Sequence, residues 1–416
     1  MKKIAFIVLF LCLCLCVKAQ VQWRTYSEQI RSLYSERMWL ILSEDGVLNG
    51  EDEQNTLHIS FDEMSHDVHQ YTYTVRHMNA DWSKESDLLS SEYVSGFTTM
   101  DIYDYEHSVN TNRSYTHYWF SFPNADMVLT KSGNYRLLIY EDGNPDNKVA
   151  EVDFCVAEPI AKIEGKVRAN TDIEYNGRYQ QLDFNVTIAP SAFSFQPSEI
   201  SVLVMQNNRE DNAVWVKPTF IEPTRLQYIN NKALIFEGGN EYRTFDAYSN
   251  YYAGTNVDRM VYEMGDYHAL LFPDELMTDQ YIHRYDENGR FKINAEHVQD
   301  DAVEAEYVWV HWTLPVEKPW LDGAVYVGGD LFNNEMGLRN RMQYDVEAKC
   351  YWLTALVKQG GYSYQYWFTG KGTKNQTTTQ RIDGSYWQTR NEYSVLVYWR
   401  PFGARYDRLV GVSLIQ

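Results

Sequence analysis

His66 and His69 stand three positions apart, the spacing that brings two imidazoles to one side of a helical turn, where they could share a metal ion. With His58 they form the densest histidine group of the chain. No cysteine or third close ligand accompanies the pair, so solvated positions on a loop or strand edge are the preferred reading. The stretch "EDGVLNGEDEQN", residues 44–55, has the oxygen density to hold calcium. It lacks the ligand spacing of a calcium loop and reads as a solvated acidic turn. No G-x-S-x-G elbow, H-E-x-x-H helix, phosphate loop or G-x-G-x-x-G turn is present. With 57 Asp and Glu residues, any chosen carboxylate pair is uninformative, because the acid–base separation of roughly 5–10 Å is not written in a sequence. The chain is therefore expected not to be an enzyme and to require no cofactor or metal.

The elements that would have to position any chemistry read as strands. In "KSGNYRLLIYEDGNPDNKVAEVDFCV", residues 131–156, Tyr135, Leu137 and Ile139 alternate with Arg136, Leu138 and Tyr140, and beyond a loop of Asp, Gly, Asn and Pro the residues Val152, Phe154 and Val156 alternate with Asp153 and Cys155. That is a β-hairpin with one apolar face. The same period of two recurs in Leu57-Ile59-Phe61, Tyr71-Tyr73-Val75, Leu182-Phe184-Val186-Ile188, Ile200-Val202-Val204 and Tyr393-Val395-Val397-Trp399. The 33 tyrosines and 12 tryptophans suit such pleated, half-buried surfaces.

The setting follows from the first residues. Lys2 and Lys3 precede an apolar run from Ile4 to Val17, and Val17-Lys18-Ala19 supplies a small residue before Gln20, the pattern of a cleaved secretory signal over residues 1–19. The run is shorter than the about 20 apolar residues that span a bilayer, and no later stretch reaches that length, so the mature chain is expected to be exported and soluble. Cys12, Cys14 and Cys16 lie inside the run without the small-residue context of a lipidated cysteine. The mature chain keeps Cys155 and Cys350, too few for a disulfide framework. A net charge of −20 with no basic stripe excludes nucleic acid and anionic membrane surfaces as expected partners.

Two seams divide the chain. Pro159 follows the hairpin, and "NAEHVQDDAVEAEYVW" sets a polar, acidic stretch before the alternating run Tyr307-Trp309-His311. The expected organisation is all-β, with tandem immunoglobulin-like β-sandwich domains over residues 20–158, 159–300 and 301–416. The absence of a short repeat disfavours a solenoid or propeller. Irregular strand spacing disfavours a membrane barrel.

The blocks "NADWSKESDLLSSEYVSGF", "YEHSVNTNRSYTHYWFSFPN" and "KSGNYRLLIYEDG", followed by "FEGGNEYRTFDAY", "KQGGYSYQYWF", "DGSYWQTRNEYSVLVYWR" and "RYDRLVG", resemble in order the signature blocks of the type IX secretion system plug protein family of Bacteroidetes. The chain departs from that pattern at Met78, where a cysteine is expected, and at Leu331-Phe332-Asn333-Asn334-Glu335, where a Phe, Asn and Trp pattern is blurred. The resemblance implies a periplasmic, non-enzymatic protein, monomeric when free, that closes the inner mouth of the large outer-membrane translocon barrel without inserting into lipid. An alternative rests on "VYVGGDLFNN", which resembles a stretch of glycogen-binding immunoglobulin-like modules and would make the C-terminal domain a carbohydrate binder, with Trp320 or Trp387 as stacking platforms. Candidate partner-binding residues are Asp81, Trp82, Tyr93, Gly96 and Phe97 in the first block, and Trp387, Arg390, Arg405 and Tyr406 near the end. For each, packing or turn formation is the competing reading, and for Trp82, Phe97 and Gly96 it is preferred.

Overall fold

The computed structural model describes residues 23–189, 195–372 and 376–416. The expected leader, with Cys12, Cys14 and Cys16, lies outside the described residues. The described chain is nearly all β. The hairpin forms as read: Gly133–Glu141 and Lys148–Ala157 pair antiparallel, with Tyr135 opposite Phe154 and Leu137 opposite Val152. It lies at the centre of a 6-stranded sheet with Trp23–Thr25, Trp39–Ile41, Tyr71–Met78 and Thr99–Ile102. A second sheet of Ile30–Ser35, Leu57–Glu63, Thr116–Phe122 and Asp104–His107 closes the N-terminal sandwich. Tyr135, Leu137, Ile139, Val152 and Phe154 share its core with Ile59, Phe61, Tyr118 and Phe120. Aromatic stacking pins the two layers, with Tyr73 and Phe120 at 4.5 Å.

Alternation alone would put Asp153 and Cys155 in water, yet both are buried. Arg136 holds Asp153 through paired hydrogen bonds of 2.7 Å each, and Cys155 lies under the next sandwich. The central hairpin is thus covered on both faces.

The domain boundary expected at 300/301 does not follow the strand pairing. Ile200–Gln206 pairs antiparallel with Tyr393–Trp399, Val202 opposite Val397. The chain's last strands, Tyr393–Trp399 and Arg408–Ile415, therefore complete the middle sandwich, facing a sheet of Ala161–Arg168, Tyr179–Ile188, Phe220–Glu222, Arg225–Tyr228 and Ile235–Glu237. The third sandwich is inserted between these halves. One of its layers holds Arg243–Asp246, Phe291–Ile293, Gly323–Gly328 and Gly360–Gly370; the other holds Val257–Glu263, Asp266–Leu271, Tyr307–Pro315, Gln343–Asp345 and Cys350–Lys358. Tyr307–Pro315 runs parallel to Asp266–Leu271, so the acidic stretch before Tyr307 is a crossover inside one sandwich and not a linker. A period of two tells which face a strand buries but not which strand it joins, and several apolar strands compete as partners for Ile200–Gln206.

Two seams weld the N-terminal sandwich to the others. Against the middle one, Met78, Ala80, Trp82, Cys155 and Ala157 meet Leu203, Met205, Leu396, Tyr398 and Leu409, all buried. The Tyr398 hydroxyl donates to Asn134 Oδ1 at 2.9 Å within that apolar layer. Against the third sandwich the seam is ionic: Asp62, with no exposed surface, accepts from Lys358 Nζ at 2.7 Å and from the Tyr307 hydroxyl at 2.6 Å. Its other oxygen lies 2.6 Å from His117 Nδ1. Burial opposes the Asp62 charge, but Lys358 and His117 outweigh it and hold the carboxyl below its usual range. Removing one partner of such a pair leaves an uncompensated buried charge. Lys358→Met is expected to cost about 3–5 kcal/mol in urea unfolding, and adding Asp62→Asn to recover most of that loss; equal destabilisation in both variants would show that the ion pair is not what holds the seam.

Candidate docking surface

The first signature block forms a loop at one end of the seam between the N-terminal and middle sandwiches. Its turn is closed by Trp82 N–H donating to the Asn79 carbonyl at 2.9 Å. Asp81, exposed, accepts from the Ser83 amide at 3.1 Å and the Ser83 hydroxyl at 2.7 Å. Trp82 takes a left-handed backbone (φ 57°) that sends its ring into the apolar seam, with the Arg136 guanidinium 5.8 Å from the ring centre. Tyr93 ends a one-turn helix, Ser90–Tyr93, and lies in the N-terminal core. Gly96 has φ +102°, and a Cβ there would lie 2.1 Å from the Asp126 carbonyl oxygen, so only glycine fits. Phe97 follows with its amide bonded to that same oxygen at 2.8 Å and its ring 64% exposed.

The last signature block comes back to the same place. Asp407 Oδ2 accepts from the Ala80 amide at 2.9 Å. Arg405 pairs with Glu92 and donates to the Asp87 carbonyl at 3.4 Å. Tyr406 sets its half-buried ring edge-on to His77 at 5.3 Å. His77 is itself fixed by Ser86 Oγ at 2.9 Å and the Ser132 carbonyl at 3.0 Å, and burial lowers it to about 4, so it is neutral at neutral pH. Arg408 Nε donates to Glu158 at 2.9 Å, and Ser132 Oγ donates to the same carboxylate. Asp81, Trp82, Tyr93, Arg405 and Tyr406 therefore meet at one end of the seam, whereas Gly96 and Phe97 follow on the short strand that leaves Tyr93 and lie against Asp126 and Met127.

As side-chain contacts, Trp82, Tyr93 and Gly96 are unavailable, because two are buried and the third is a glycine at positive φ in the short strand Val94–Gly96, paired with Met127; they shape the loop. Trp387 and Arg390 lie elsewhere, on the crossing from the third sandwich back to the middle one. The Trp387 carbonyl accepts from Gln180 Nε2 at 2.8 Å. Arg390 covers Tyr285 at 5.1 Å and donates to the Arg284 carbonyl at 2.9 Å. Two apolar residues not foreseen from sequence complete the surface: Leu89, 68% exposed, and Phe402, fully exposed. The available signal was "PFG" in a turn, since Gly403 at φ 82° leaves Phe402 at the tip with no core to enter.

The other sequence candidates have local roles. His66 bonds Ser108 Oγ at 3.0 Å while His69 bonds Glu141 at 2.6 Å, so the two rings serve different partners. In the 44–55 turn, Asp52 caps the short helix Glu53–Asn55 by accepting from the Gln54 amide at 3.0 Å. Trp320 stacks on Tyr351 at 5.4 Å inside the third sandwich. Glu335, at the end of the sugar-module-like stretch, reaches Arg24 of the N-terminal sandwich at 3.2 Å, so that loop is part of a domain seam. The loop also walls a cleft of about 370 Å³ where all three sandwiches meet, lined by Trp23, Tyr34, Trp39, Asn207, Arg290 and Asp330.

Residues 47–158 match the family model described as type 9 secretion system plug protein, 1st domain. A hypothetical protein from Parabacteroides merdae ATCC 43184, known from a crystal structure at 2.30 Å, is 35% identical with a TM-score of 0.89, over 95% of this chain and 99% of that one. A biofilm-associated protein BSP domain aligns at 9% identity and TM-score 0.19, over 95% of this chain and 60% of that one, and carries no argument. No curated protein matches.

Trp82→Ala is expected to destabilise by about 3–5 kcal/mol in chemical unfolding through the cavity left in the seam. Cleft burial raises Asp330 to about 6, against its ordinary 3.8. The folded state then binds the extra proton between about pH 4 and 6, so this group's contribution to stability falls as pH rises through that window. Asp330→Asn should melt higher than the wild type at pH 7.5, and the difference should close by pH 5; a gap independent of pH would assign the effect to something other than titration.

Proposed function

The chain belongs to the type IX secretion system plug protein family, and from that premise we propose that it is the periplasmic body that binds and seals the idle outer-membrane translocon of that system. The family gives a role in type IX secretion; the sealing role and the choice of partner are our reading. The observation that carries it is the surface where the first and last signature blocks meet. Leu89 and Phe402 are presented to solvent on loops tied together by Arg405–Glu92 and by Asp407 on the Ala80 amide, and Phe97, further along the first block, is exposed where its amide bonds Asp126. Exposed apolar side chains on a rigid base mark interaction sites, and the polar rim of Asp81 and Arg405 suits a contact that must also release. The welded body supports the same reading, since a channel that passes folded cargo is blocked by bulk and not by a side-chain gate. No catalytic step is assigned to the protein.

Purification of the tagged translocon, with partners identified by mass spectrometry, is expected to recover the wild-type protein. A Phe97→Asp, Phe402→Asp variant should be lost from that preparation while keeping its melting temperature, and a strain carrying it should leak periplasmic contents as a deletion strain does. If the protein never accompanies any form of the translocon, and its deletion leaves the outer membrane equally tight, the sealing role is wrong.

A further inference from the structure

A groove of about 340 Å³ runs between the N-terminal and third sandwiches, and neither Phe97 nor Phe402 lines it. Its N-terminal wall is Ile30–Leu33, part of Ile30–Ser35, the outermost strand of its sheet. Facing it are Trp309, Trp352 and Leu356 of the third sandwich, and Leu338, Arg339 and Arg341 from the following loop and strand entry. Trp352 and Leu338 are exposed, giving the groove apolar sides.

The charge in this groove runs against that of the molecule. The chain carries −20, and most of its arginines are committed to carboxylates: Arg24 to Glu151, Arg113 to Asp266, Arg136 to Asp153, Arg243 to Asp383, Arg290 to Glu392 and Arg408 to Glu158. Among the described residues, Arg37, Arg225 and Arg284 are in no ion pair and lie outside this groove, whereas Arg31, Arg339 and Arg341, also without a carboxylate at ion-pair distance, line it together. Arg31 Nε is buried without a hydrogen-bond partner. Burial, then the charge of Arg339, pushes the Arg31 guanidinium below its ordinary value. The carboxylates in the lining are already engaged: Glu335 by Arg24, Asp330 by Asn334 Nδ2. Lys358 is held by Asp62. Glu28 offsets part of the charge on Arg31 and Glu335 part of that on Arg339, which also donates to Thr25 Oγ1 at 2.6 Å and to the Ser27 carbonyl at 3.2 Å, but neither carboxylate is at ion-pair distance; like charges so placed cost free energy, and an anionic ligand offsets that cost when it binds.

The wall itself points to the kind of anion. The register of Ile30–Ser35 against Leu57–Glu63 shifts between Arg31 and Tyr34, and Ser32 has φ 47°. The bulge takes Ser32 and Leu33 out of the paired ladder, and because Ile30–Ser35 pairs only with Leu57–Glu63 among the described strands, its other edge is the side that a further extended segment would join. We propose that the groove binds an extended acidic peptide segment of a protein partner, its Asp or Glu side chains held by Arg31, Arg339 and Arg341 and its apolar residues set between Trp309, Trp352 and Leu338. This goes beyond the sealing role, uses a different surface, and is tested without the translocon.

The test is fluorescence anisotropy with the purified full-length mature chain and a labelled short peptide alternating Glu with Val and Thr. The Glu peptide should bind, its Gln counterpart at least about tenfold more weakly, with affinity falling as salt rises. Arg31→Gln with Arg341→Gln should lose about tenfold or more while melting no lower than the wild type, since neither side chain makes an ion pair to lose. Equal binding of the Gln peptide, or full binding by the double variant, would overturn the site. Displacement of the peptide by oligogalacturonate or inorganic phosphate at lower concentration than by unlabelled peptide would overturn the peptide assignment in favour of a glycan or a simple anion.

Discussion

The pairing of Ile200–Gln206 with Tyr393–Trp399 is the constraint on which the rest of the architecture depends. Because the chain's end closes the middle sandwich, everything between those strands must leave that sandwich and return to it. The third sandwich is anchored at both ends in consequence, and the loop after Trp399 is delivered to the first signature block. Asp407 can then accept from the Ala80 amide and Arg405 can reach Glu92 only because the final strands run in that layer. Tandem domains in series would have placed the two blocks far apart.

The same closure explains why the seams are so unlike in chemistry. The middle sandwich meets the N-terminal one through strand faces, where apolar side chains from both sheets interdigitate around the Tyr398–Asn134 bond, with the polar links of Asp407, Arg405 and Arg408 at the margin. The third sandwich meets it with strand ends and loops, which carry polar backbone that must be satisfied. Glu306 does this for Arg113 and Asn112 by accepting their amides, and Tyr115 donates to the Ala305 carbonyl at 2.9 Å. The Asp62–Lys358 pair fits that setting. It adds little net stability over an apolar contact, but any slip that separates its members strands a buried charge, so it acts against misdocking.

What was legible in the sequence tracks what is local. The hairpin at residues 131–156 forms as alternation and turn residues imply, while the bulge between Ile139 and Tyr140 near its turn is not written in the period of two. The sandwich class follows from many such strands. The partner of Ile200–Gln206 was not legible, because it lies nearly the whole third sandwich away and its apolar alternation is shared by other strands. Burial of Asp153 and Cys155 was missed for a related reason: a second covered face is a tertiary fact, supplied here by Arg136 and by the middle sandwich. Of the named site residues, Phe97, Asp81 and Arg405 lie at the surface, whereas Trp82, Tyr93 and Gly96 shape the loop that presents them. An aromatic or a glycine in a signature block is marked equally by contact and by support, and only burial separates the two.

Charge is where sequence and structure differ most in what they permit one to say. A scan for basic stripes finds none, correctly, because Arg31 lies some three hundred positions from Arg339 and Arg341. Folding brings them into one groove while it pairs most other arginines with carboxylates. An acidic protein disperses its repulsion by such pairing, so three cations left together in one groove depart from the pattern of most of its arginines. The exposed apolar side chains of Leu89, Phe97 and Phe402 are a second departure, in hydrophobicity and not in charge, and none of them lines the groove. A body that only filled space would need neither. Their separation means that a partner held in the groove and a partner held on the loops need not compete, so the two contacts are able to be made and broken independently.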